Sequence, residues 1–241
     1  MIAAMPLVGA TLRGLLDRRR TWVMVILAAL PVGVALLLKI ADARVGAAGI
    51  LDALMVRTVM PLVAMVFGTA ALGSELEDGT AVYLMVKPIA RWRIALAKIA
   101  VGAGLSVALV VPSTVATGLL IGGLKAAAIT ATLGYGVGVA LGACAYAAAF
   151  VALSAFTSRA LIIGLVYTLV WEGVLAGLLE GTRSLSVAQA TIGIANGFAP
   201  RSTLPAPLGT ITSATILAVV LGGSFLLASW RLARFEVRGG D

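Results

Sequence analysis

Apolar runs as long as a bilayer is thick succeed one another along the chain, separated by short charged or glycine-rich breaks. They fall at 22–38, 51–72, 94–120, 127–155, 160–179 and 208–230. Each approaches or exceeds the ~20 residues that a transmembrane helix needs. The pattern predicts an all-α integral membrane protein with six transmembrane helices in a single domain over 1–241. The third run is longer than a bilayer requires and carries Pro112, which predicts tilt and a kink.

Two stretches break this simple alternation. Within 6–20, Val8, Leu12, Leu15 and Leu16 share one helical face while Arg13, Asp17 and Arg20 fall elsewhere. That predicts an N-terminal interfacial helix, ended by Arg18, Arg19 and Arg20. The segment 180–207 is too polar to span and too apolar for a plain loop. Leu185, Ala188, Ile192 and Ala195 share a face there, and Gly197, Pro200, Pro205 and Pro207 then break the helical pattern. An external, membrane-dipping helical segment before the last span fits, a shape that survives only when packed on protein. In the fourth run, Gly134, Gly138 and Gly142 recur every four residues, which predicts close helix packing within the chain, with a dimer or substrate role as the second reading.

Composition narrows the function. The 241 residues are 61% hydrophobic and 12% charged, against about 45–50% and about 25% in soluble domains. The net charge of +8 does not point to nucleic acid, because the Lys and Arg flank apolar runs. They read as topology signals instead. Six of the eighteen Lys/Arg (Lys39, Arg44, Arg57, Lys125, Arg183, Arg201) fall outside the segments assigned to the cytoplasm, leaving twelve within them, Lys98 included. The bias places the chain in a cell (inner or plasma) membrane with both termini cytoplasmic. The single cysteine, Cys144, allows no intrachain disulfide, and the absence of histidine excludes His-based metal sites and triads. Residues 1–8 are apolar ahead of their charges, unlike the basic start of a cleaved leader.

The long polar interruption at 74–93 carries the chemistry. Glu75, Glu77 and Asp78 precede Gly79, and Lys87, Pro88, Arg91, Arg93 and Lys98 come after it. The order reads as an acidic turn, a short helix at 80–86, a proline break and a basic start to the next span. No GxxxxGK[ST] phosphate loop occurs, so the chain lacks that route to ATP hydrolysis.

The six-run layout and the residues Gly73-Ser74-Glu75, Glu77, Gly79-Thr80, Pro88 and Arg91 resemble the type 2 permeases of ATP-binding-cassette exporters. Lys87 departs from the family's pattern, which has an apolar or small residue before the proline. The resemblance implies that the chain is not itself an enzyme and holds no cofactor. ATP and Mg²⁺ would bind a separate ATPase subunit. Glu75, Glu77, Gly79, Thr80, Pro88 and Arg91 would couple to that ATPase, with Thr157–Arg159 as a smaller second contact. A second permease copy or a homologous permease would complete the assembly in membrane lipid. The substrate would be lipid-like, peptide or drug-like. The rivals are a non-transporting anchor or scaffold, and a secondary transporter, for which no internal repeat is evident.

Two charges lie inside the runs. A lone charge there costs roughly 2.5–3.5 kcal/mol on insertion scales, so partners are expected. Counted from the outer ends of their spans, Arg57 and Glu172 sit about 9 and 10.5 Å deep at ~1.5 Å per residue. Equal depth and opposite sign predict an ion pair, within one chain or across a dimer. Otherwise Arg57 snorkels to the headgroups and Glu172 is protonated or lines the pathway.

Overall fold

A computed structural model describes residues 9, 18–42, 46–77, 90–175, 185–198 and 208–234. The described residues are helical apart from short turns. Helix α1 is Arg18–Ile40. Helix α2 is continuous in three parts: Ala47–Ile50, a π-helical stretch Leu51–Val59, and Met60–Glu77. Then come α3 (Arg91–Gly122), α4 (Ala126–Phe156) and α5, which is α-helical over Ala160–Val166 and π-helical over Tyr167–Leu175. Helix α6 is Val187–Phe198 and α7 is Thr210–Ala233.

Helix α4 is the axis of the bundle, with α2, α3, α5, α6 and α7 packed around it. About half of its residues are Ala or Gly, so neighbouring backbones approach closely. One apolar cluster joins Met55, Val59 and Val63 of α2 to Val139 and Tyr146 of α4 and Ala188 and Ile192 of α6. A second joins Leu72, Ile94, Val151 and Leu232 at the opposite end. In contrast α1, α5 and α7 expose large apolar side chains such as Ile26, Ile162 and Leu226. That is the surface a bilayer accepts.

Several buried hydroxyls bond within their own helices. Thr69, Ser106, Thr114 and Thr191 each donate to the carbonyl four residues back, at 2.7–2.9 Å. Cross-helix exceptions include the Ser113 hydroxyl, which donates to the Ala28 carbonyl, and Arg231 Nε, 3.3 Å from the Ala155 carbonyl.

Pro61 accounts for the π stretch in α2. It lacks an N–H and its ring would crowd the carbonyl of Arg57. Just ahead of it, the Met60 N–H bonds to the Met55 carbonyl, five residues back, so the helix widens rather than breaks. Helix α3 ends at Gly123, whose φ of 73° suits glycine, with its N–H bonded to the Leu119 carbonyl at 3.0 Å.

Several boundaries differ from those the sequence predicts. Among the described residues, five helices are long and apolar enough to cross a membrane; the fifth expected span, 160–179, is described only to Leu175. Arg18–Arg20 open α1 rather than close a separate helix, and most of the expected interfacial helix at 6–20 lies outside the described residues. Helix α2 begins at Ala47, so Gly49 is helical and not loop. It also runs on through Glu77, so Glu75 and Glu77 form its last turn and not an independent acidic turn. Lys98 is fully buried within the bundle and is not a solvated topology charge.

Candidate functional site

Three features carry chemistry or motion: an ion pair in α2, a buried carboxylate in α5, and the α2 exit facing the α3 entry.

In an α-helix, residues five apart point in different directions. A π turn closes i→i+5 bonds and brings them together. Asp52 and Arg57 are five apart, in the π stretch of α2. Arg57 Nε lies 3.1 Å from Asp52 Oδ1, and Nη2 lies 3.3 Å from Oδ2. Both side chains keep a little over a quarter of their exposure. The Thr58 hydroxyl reaches back five residues in the same way, to the Ala53 carbonyl at 3.0 Å.

Glu172 is the second feature, fully buried in the π stretch of α5. Again a neighbour five residues away serves it, with the Tyr167 hydroxyl 3.4 Å from Oε1. The remaining bonds cross to the start of α6. The Val187 N–H donates to Oε1 at 3.0 Å, and the Ser186 hydroxyl donates to Oε2. Ser186 Oγ also accepts the Gln189 N–H at 3.0 Å. Ser186 and Gln189 therefore stand at the positions of an S-x-x-Q capping box. The carboxylate sits where the unpaired N–H groups and positive dipole end of a helix favour negative charge.

The predicted pairing of Arg57 with Glu172 is not made within the chain. Arg57 binds Asp52 and Glu172 binds the start of α6. Depth counted with α-helical spacing hides a partner five residues away, which is why sequence reasoning does not reach Asp52 or Tyr167. Ser186 lies on another element altogether. The S-x-x-Q ahead of an apolar stretch is the one signal that points to it.

The glycine stripe seats α6. A Cβ added at Gly138 would stand 2.6 Å from the Thr191 carbonyl oxygen, and one at Gly134 would stand 2.7 Å from that of Ala195. On the other side Gly193 faces Ser213 of α7. Residues 187–195 are all buried. At ~1.5 Å per residue, twelve residues cover about 18 Å, well short of the ~30 Å of a bilayer core. A short buried helix of this kind must be packed on protein, and it is.

The third feature lies at the other end of the bundle. Helix α2 leaves at Glu77 and α3 enters at Arg91. Glu75 and Glu77 fall in the last described turn of α2, and Arg91 and Arg93 in the first turn of α3. No side-chain cap supports the start of α3 at Ala90. Gly79, Thr80 and Pro88, together with the short helix expected at 80–86, lie outside the described residues. Among the described residues, no cluster of acids and cysteine is arranged to hold a metal.

No curated protein matches the chain. A family defined as ABC-2 family transporter protein matches residues 16–174, about two thirds of the sequence. The match takes in α2, the α3 entry, the glycine stripe and Glu172. On that coverage, and with an all-helical bundle of membrane-length helices, the chain belongs to the ABC-2 transporter family.

Proposed function

We propose that this chain is the membrane-spanning permease subunit of an ABC exporter. It couples ATP hydrolysis in a separate ATPase subunit to outward movement of a lipid-like, peptide or drug-like amphipath. The observation that supports this most is the arrangement of the α2 exit and α3 entry. Acidic residues in the last described turn of α2 and basic residues in the first turn of α3 suit a charged, soluble partner. Two long helices joined there form a lever, so a push at 74–93 reaches the packed bundle. A second permease, identical or homologous, provides the other wall of the path.

Copurification with an ATP-binding-cassette subunit, followed by ATPase assays in lipid nanodiscs, tests the reading. Changing Glu75 and Glu77 together to Ala should release the ATPase or uncouple its hydrolysis while the permease stays folded. Normal assembly and coupling in that double variant would remove these residues from the docking surface.

A further inference from the structure

Helices α5 and α6 are attached to the bundle by different physics. The α6 backbone lies directly on α4 at Gly134 and Gly138, with no side chain between. Such packing is tight and undirected, and it holds α4 and α6 as one unit. Helix α5 exposes Leu161, Ile162, Leu165, Val166 and Leu169. Near its start Gly164 rests against Phe150 and Met65. Towards its far end, Glu172 hydrogen-bonds to Ser186 and Val187.

We propose that Glu172 is a releasable latch, tying the far end of span five to the α4–α6 unit and letting go during the transport cycle as span five pivots about its Gly164 contact. The latch rests on the permease function proposed for the chain. Three details suit it for release. Hydrogen bonds fail over small displacements and rotations, whereas apolar contacts fade gradually. The Ser186 hydroxyl can keep the Gln189 N–H after the carboxylate departs, so α6 does not unravel. Tyr167 lies on α5 itself and travels with Glu172, so that contact survives release. The atoms that part are then Oε1 and Oε2 from Val187 N and Ser186 Oγ.

Spin labels at Leu169→Cys and Phe198→Cys, two exposed positions on α5 and α6, in a Cys144→Ala background, read the latch directly. The full permease–ATPase complex is studied in nanodiscs, spin-diluted with unlabelled chain, by electron–electron distance measurement. The native complex should show one short distance without nucleotide and a longer one when trapped with ATP and vanadate. Glu172→Ala should populate the longer distance without nucleotide, raising the open-to-closed ratio about tenfold or more, as loss of hydrogen bonds to a charged group implies. Ser186→Ala, which removes only one hydroxyl, should give a smaller rise in the same direction. Retention of the short distance in both variants would overturn the proposal. So would a native complex that hydrolyses ATP with an unchanging distance, and that result would leave the permease function intact. If no ATPase binds, the permease function fails and the latch falls with it.

Discussion

The Asp52–Arg57 pair shows how one local change of helical pitch decides which residues meet. Both charges stand within a membrane-length helix, and each is the other's neutralising partner at 3.1 Å. Removing one strands the other, which costs more than removing both. Arg57→Leu and Asp52→Leu should each destabilise the protein in detergent, by about 1–3 kcal/mol given the partial exposure, as thermal melting would read. The double variant should recover part of that loss. Additive losses would show that the pair contributes nothing. The sequence does show that Arg57 needs a partner, because an intramembrane charge always does. It does not show which one, because the choice turns on a widened helix that Pro61 imposes from two residues beyond the stretch. Glu172 obeys the same logic. Its burial was legible from its place in an apolar run, but two of its partners lie at the start of a different helix, 14 and 15 residues further on.

At the scale of elements, the close approach at the glycine stripe was legible, because four-residue spacing of small residues lets another backbone come near. What it could not reveal was the partner, since every apolar helix in the chain offers a smooth face. The structure gives that place to α6, a helix too short to span. Gly138→Ala would drive a Cβ to 2.6 Å from the Thr191 carbonyl, so α6 must shift, at a cost of about 1–3 kcal/mol for overpacking. Gly136 has only ordinary contact, 3.7 Å from Val115, and Gly136→Ala should be tolerated. Thermal melting of the two variants side by side checks the claim, and equal loss for both would contradict it. Helix boundaries were less legible than helix existence. Charges at Arg18–Arg20 and at Glu75 and Glu77 read as breaks by hydropathy, yet a helix continues through polar residues as long as its backbone bonds are made.

For the whole molecule, the order of elements predicts which surfaces share a side of the membrane. Helices α2, α3 and α4 run alternately, so the α2 exit, the α3 entry and the α4 exit lie together, and α6 lies at the opposite end. Cysteines introduced at Thr80 and Ser184, in a Cys144→Ala background, should therefore label from opposite sides with a membrane-impermeant reagent. Labelling of both from one side would overturn the arrangement. The buried hydroxyls bear on how such a bundle moves. Thr69, Ser106, Thr114 and Thr191 commit their donors to their own backbones, so sliding one helix along another by a fraction of a turn leaves those bonds intact. The Ser113 bond to Ala28 instead crosses from α3 to α1, so sliding those two helices past each other must break it.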